Sequence, residues 1–168
     1  MKVTDKYVFF WGDEPFTNFT PCKNLKYLDL DWKSTEQVFM WLKAVEFKDF
    51  EIAKKIRAAA TPKEAKKLGR QVRNFDGEHW SSVSYDYMKM IVDIKFRSDP
   101  DFMKVLINPV FFDKTFVEAS PYDRIWGIGV KESEAVWKTW GWGENRLGKI
   151  LTELRDQYIE ELKAVRIG

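Results

Sequence analysis

The stretch STEQVFMWLKAV, residues 34–45, decides how this chain is read. Ser34 is a helix cap, and Gln37 three residues later completes a Ser-x-x-Gln capping box. Val38, Trp41, Leu42 and Val45 then fall at i, i+3, i+4 and i+7, one continuous apolar face. Phe39, Met40 and Ala44 add apolar surface on the other sides, so the helix is expected to be enclosed by protein. Two charges break this pattern. At about 100° per residue, Glu36 and Lys43 lie two turns apart on one edge with Phe39 and Met40 between them. Two readings of the pair stand at this point. Glu36 is either a first-turn carboxylate favoured by the helix dipole, with Lys43 a snorkelling side chain, or the two are kept for chemistry.

Working outward, 168 residues predict one domain with a proper core. Aromatics make up 16% of the chain and include eight tryptophans, more than such a core requires. The net charge of +2 gives no global electrostatic case for nucleic-acid or membrane binding. One cysteine (Cys22) and one histidine (His79) cannot build a Cys/His zinc site or a disulfide. As a Cys–His catalytic pair, neither sits in a supporting motif. The N-terminus lacks a basic-then-apolar signal, and no apolar run approaches a membrane span. The expectation is a soluble, cytoplasmic protein without metal, cofactor, membrane contact or an evident obligate protein partner.

YVFF (7–10) reads as a strand and LKYLDLDW (25–32) as a second, with loop between them. After a helix over 35–47, DFEIAKKIRAAA (49–60) continues as helix. Thr61, Pro62 and Glu64 give cap, N1 proline and capping-box partner to a short helix that Gly69 stops. A long helix is expected from Trp80 to Arg97 with Val83, Tyr87, Met90, Ile91 and Ile94 inward. A shorter helix follows from Asp99-Pro100 to Ile107, then a strand over 114–119. The segment 145–162 closes the chain as an amphipathic helix with Leu147, Ile150, Leu151, Leu154 and Tyr158 inward. The count predicts a helix-rich α+β domain with a small β-sheet over 1–168.

Between that strand and the closing helix lies SPYDRIWGIGVKESEAVWKTWGWGE (120–144), with Trp126, Trp137, Trp140 and Trp142 among four glycines. A connection this long is usually functional, and tryptophan faces stack on flat rings. An aromatic loop folded over the core is the alternative. Basic residues also cluster from Lys54 to Arg73, against Glu64 alone. Most are read as a solvated face, whereas Arg70, just after the helix-ending glycine, is a candidate phosphate clamp.

In this order the pieces resemble the NADAR family, whose YbiA-like members are N-glycosidases. Phe16-Thr17-Asn18-Phe19 resembles the family's Leu-Ser-Asn-Phe element, with threonine for serine. Ser34-Thr35-Glu36, Phe39 and Lys43 match its Thr-Ser-Glu…Phe…Lys helix. Gly69-Arg70, Trp80 and Lys95-Phe96 match its Gly-Arg pair, its helix-opening tryptophan and its Lys-Phe. Glu118, Asp123, Trp126, Gly127 and Gly129 follow its Glu-x4-Asp-x2-Trp-Gly-x-Gly element, and Asn145-x-Leu147-Gly148 its C-terminal helix. The sequence departs from the pattern at Asp76-Gly77-Glu78-His79, where basic residues are expected.

The resemblance implies a metal-independent hydrolase that cleaves between a (phospho)ribose or ADP-ribose moiety and a heterocyclic base. It implies catalytic roles for Glu36, Asp123 and Lys43. It implies substrate binding by Asn18, Phe19, Arg70, Trp80, Glu118, Trp126, Gly127, Gly129 and Asn145. The implied partner is a small nucleotide or ribosylamine phosphate, such as a phosphorylated riboflavin-pathway intermediate, or an ADP-ribosylated nucleic acid. A non-catalytic reader of ADP-ribose or an NAD-derived nucleotide is the alternative.

Overall fold

A computed structural model describes residues 1–12 and 14–167; position 13, within the expected loop before Pro15, lies outside the described residues. The fold is helix-rich α+β with small sheets, in two compact units, Met1–Thr17 with Pro100–Gly168, and Asn18–Asp99.

The first unit holds a three-stranded sheet. β1 (Lys2–Val3) pairs antiparallel with β2 (Tyr7–Phe10), which pairs in parallel with β5 (Thr115–Glu118), Tyr7 opposite Thr115. A parallel neighbour needs a long crossover rather than a hairpin. Phe9, Phe10, Phe116 and Val117 are wholly buried, so β2 and β5 carry apolar side chains on both faces. α5 (Pro100–Leu106) precedes β5, and a four-residue α6 (Glu132–Ala135) interrupts the aromatic loop. α7 (Arg146–Ile167) buries the expected Leu147, Ile150, Leu151, Leu154 and Tyr158.

The second unit opens on a hairpin rather than the single strand expected over 25–32. β3 (Leu25–Tyr27) turns back into β4 (Leu30–Trp32) through Leu28 and Asp29 at φ 52° and 59°. Two consecutive left-handed residues are what a two-residue turn requires to match strand twist. The turn escapes sequence reading because it lacks the usual Asn-Gly.

α1 (Thr35–Glu46) starts as expected, Ser34 accepting the Gln37 amide at 3.2 Å. Gln37 does not close the box on Ser34. Its Oε1 accepts the Lys33 amide at 2.9 Å, and its Nε2 donates to Ile56 O at 3.1 Å, fastening α1 to the end of α2 (Phe50–Arg57). Helix does not run on to residue 60: Lys48 at φ 58° breaks α1 from α2, and Asp49 caps the new start.

α3 (Pro62–Gly69) has the predicted Thr61 cap and N1 proline. Gly69 is not a left-handed stop; it is the last helical residue, with Arg70 the right-handed C-cap. A Cβ on Gly69 would meet Met40 Sδ at 2.1 Å, so glycine is needed for close approach of α3 to α1. α4 (Gly77–Ser98) begins three residues early, with Asp76 accepting the amides of Glu78 and His79. Its buried stripe is Ser84, Met88, Ile91, Val92, Lys95 and Phe96, rotated from the one expected.

Asp49 anchors this unit. Its buried carboxylate caps α2 at Ile52 N (3.2 Å) and accepts Arg73 N at 2.9 Å and Arg73 Nη2 at 2.8 Å. The Arg73 hydrogen bonds hold it well below the usual carboxylate range. A depressed folded pKa stabilises above the unfolded value of about 4 and is lost as pH falls below it. Asp49→Asn should lower Tm at pH 7, and the gap to wild type should narrow as pH drops below about 4 in calorimetric scans.

Candidate active site

In the unit Asn18–Asp99 the site residues gather around the first half of α1. Glu36 lies in its first turn and is only 7% exposed. Its amide donates to Asn18 O at 3.1 Å, while Thr35 Oγ1 donates to Asn18 Oδ1 at 2.8 Å. Asn18 Nδ2 reaches Met88 Sδ on α4 at 3.4 Å, so both ends of the Asn18 amide are engaged within the protein. Phe19 next to it is exposed, and Lys66 Nζ lies 5.5 Å from its ring centroid.

Two turns along α1, half-buried Lys43 donates to Gly69 O at 2.9 Å and sits 4.5 Å from the Phe75 ring centroid. Burial lowers its pKa, Glu36 pulls it back up, and Arg70 lowers it further. Glu36, Lys43 and Arg70 therefore share one electrostatic neighbourhood. Arg70 is exposed, and its guanidinium donates no hydrogen bond to the other described residues. Trp80 is half-buried with its ring 5.1 Å from Phe39, one turn on from Glu36, and 6.0 Å from Tyr87.

The sequence reading missed the network around Glu46 and the burial of Lys95, a residue it had placed only in the family's Lys-Phe pair. Glu46, closing α1, accepts from Tyr87 Oη and pairs with His79 Nε2 at 2.8 Å, bracketing Trp80 on α4. Those hydrogen bonds lower the Glu46 carboxyl and push Tyr87 up to about 12. Lys95 is 1% exposed, and burial draws its pKa down to about 8 against the pull of Cys22 and Asp99. Its signal was available: a lysine four residues after Ile91, on the apolar stripe.

The other unit holds the second set. Asn145, at φ 53°, accepts the Glu118 amide at 3.0 Å through Oδ1 and donates to Phe116 O at 2.9 Å, joining the start of α7 to β5. Asp123 Oδ1 accepts the amides of Ile125 and Trp126, both at 2.9 Å. Gly127 is buried where a Cβ would stand 2.8 Å from Glu118 O, and Gly129 is left-handed at φ 67°. Trp126 is half-buried, with Arg146 Cζ 5.8 Å from its ring.

Trp142 packs edge-on against Tyr7 and Phe9, while Trp137 and Trp140 are 81% and 87% exposed. Among the described residues, no group of three or more His, Cys, Asp or Glu is placed to hold a metal ion, and no helix is long and apolar enough to cross a membrane.

The model of the NADAR domain matches residues 4–158. The chain belongs to the NADAR family. It is 38% identical over 168 residues to N-glycosidase R617 of Acanthamoeba polyphaga mimivirus, covering 92% of this chain and 97% of that one. It is 32% identical over 118 residues to the riboflavin biosynthesis protein PYRR of Arabidopsis thaliana, covering 68% of this chain and 18% of that protein. The NMR structure of the E. coli protein YbiA superposes with a TM-score of 0.74 at 27% identity, over 96% of this chain and 90% of that one.

The shared field of Glu36 and Lys43 generates a test. Replacing Lys43 with Met removes the cation that favours the ionised form of Glu36. The acidic limb of the pH–rate profile should move to higher pH, with far-ultraviolet circular dichroism unchanged. A limb that stays put while substrate binding weakens would make Lys43 an anchor instead.

Proposed function

We propose that this NADAR protein hydrolyses the N-glycosidic bond between a phosphorylated ribose and a heterocyclic base, with Glu36 as the carboxylate at the reacting carbon. It is a hydrolase of N-glycosyl bonds. The observation that carries the assignment of Glu36 is a carboxylate only 7% exposed in the first turn of an enclosed helix and coupled electrostatically to Lys43, which is coupled in turn to Arg70. A buried charge is costly unless it is compensated. Here the helix N-terminus and Lys43 supply the compensation.

Cleavage of such a bond passes through an oxocarbenium-like transition state, which a carboxylate stabilises directly or by activating water. Water oxygen bonds to the anomeric carbon as the bond to the base nitrogen breaks. The bond's electron pair leaves with the base, which takes up a proton, and the proton lost by water passes to a carboxylate. Trp80, already stacked in an aromatic group, offers the leaving base a flat wall. Arg70 is the phosphate anchor, and Lys43 holds Glu36 in its ionised form. Asp123, whose Oδ1 accepts the amides of Ile125 and Trp126, is the second carboxylate of the proposal.

Among substrates, a phosphorylated ribosylamine of the riboflavin pathway is supported by the likeness to PYRR. An ADP-ribosylated base is the second reading, favoured by the cations clustered from Lys54 to Arg73, which suit a larger nucleotide. A module that only binds nucleotides has no use for a buried carboxylate beside its phosphate site. Incubation with ribosylamine phosphates, NAD, ADP-ribose and ADP-ribosylated oligonucleotides, read by mass spectrometry of released base, tests the proposal. Tight binding without any base release would favour the reader.

Two substitutions sharpen it. Glu36→Gln should cost about 2–4 kcal/mol of transition-state stabilisation, roughly thirtyfold to a thousandfold in kcat, in a folded protein. Arg70→Ala should weaken binding of the phosphorylated substrate in calorimetry while barely affecting a phosphate-free analogue.

A further inference from the structure

The net charge of +2 conceals a strong local asymmetry. Between Lys54 and Arg70 there are seven cations against Glu64 alone, so this segment carries +6 and the remaining residues together −4. Neutralising partners are missing: among the described residues none of Lys54, Lys55, Arg57, Lys63, Lys66, Lys67 and Arg70 forms an ion pair. Arg73 just beyond them is paired, with Asp49 and Glu51.

The cations are also ordered. On α3, Lys63, Lys66, Lys67 and Arg70 fall at i, i+3, i+4 and i+7, a single stripe. Ala65 and Gly69, on the opposite side, are the buried residues of that helix. At 1.5 Å per residue the stripe runs about 10 Å, more than one phosphate can occupy.

Exposed rings are interleaved with it. Phe19 has Lys66 Nζ 5.5 Å from its centroid. On α2, Phe50 is 64% exposed and lies at i relative to Lys54 (i+4) and Arg57 (i+7), and with Trp41 it lines a shallow apolar groove. Cations that track a backbone, alternating with rings on which bases stack, are the two requirements for holding a single strand without reading its sequence. A solvated lysine face needs no rings, and an acidic polypeptide has no bases to place on them.

We propose that the α2–α3 face of this chain is a docking surface for single-stranded nucleic acid, bound through its phosphodiester backbone with sequence-independent stacking. The surface goes beyond the hydrolytic reading: Arg70 and Phe19 are common to both, whereas Lys63, Lys66 and Lys67 serve the surface alone.

Fluorescence anisotropy of a labelled twenty-nucleotide thymidine strand, titrated with the full chain over a salt series, tests it. Four phosphate contacts on a single strand predict a slope of log K against log salt of about −3. The double variant Lys63→Glu with Lys67→Glu touches neither buried residues nor the assigned substrate contacts, and should stay folded. It should weaken binding by about tenfold or more and flatten the slope by about 2. Base release by the same variant from a small substrate should stay at the wild-type rate. Absence of binding at low salt, an unchanged affinity in the variant, or polyglutamate competing as well as the oligonucleotide would each overturn the proposal. The last outcome would make the face a site for acidic protein.

Discussion

A single hydrogen-bonded junction organises the unit Asn18–Asp99: Asn18 against the first turn of α1. Asn18 O receives the Glu36 amide and its side chain receives Thr35 Oγ1, while its own amide reaches Met88 on α4. Ser34 caps the same turn from outside. An enclosed helix start leaves amides that must find partners. Here Asn18 takes the Glu36 amide and Ser34 the Gln37 amide, and Asn18 also ties the turn to a second helix. The consequence is chemical. A carboxylate at this point is rigid, largely dry and set at the positive end of α1, so it remains useful to a developing cation without swinging out into water.

Around that junction the cations are placed by packing rather than by charge. Glycine at 69 lets α3 come against Met40, which brings the Gly69 carbonyl to Lys43 and leaves Arg70 at the very end of the helix. Lys43 is thus held by a neutral acceptor instead of being locked into an ion pair, and the Arg70 guanidinium donates no hydrogen bond to the other described residues. Glu46 binds His79 and Tyr87, which flank Trp80 along α4, so that part of α4 is fixed by a carboxylate from the same helix that bears Glu36.

Much of this was legible in the sequence where a local rule applied. The Ser34 start, the Thr61-Pro62 start and the buried face of α7 follow from capping and the helical period, and the structure keeps them. The hairpin over 25–32 was hidden because Leu28 and Asp29 take left-handed backbone without glycine. The stripe of α4 was read rotated because its true line contains Lys95, which looks polar and is wholly buried. The Glu46 network joins residues 33 and 41 positions apart, which no period announces. Within the second set, Asp123, Gly127 and Asn145 were found only through the family pattern. Their hydrogen bonds and close approaches to backbone explain why those residue types stand there.

The central claim is that the Glu36 carboxylate itself acts at the glycosidic carbon. Its most direct test is chemical rescue of Glu36→Ala, in which the shortened side chain leaves room for a small exogenous carboxylate. Base release from a ribosylamine phosphate should be lost in the folded variant and should return, in part and with saturation, as formate is added. Turnover at the wild-type rate without formate would contradict the assignment of Glu36.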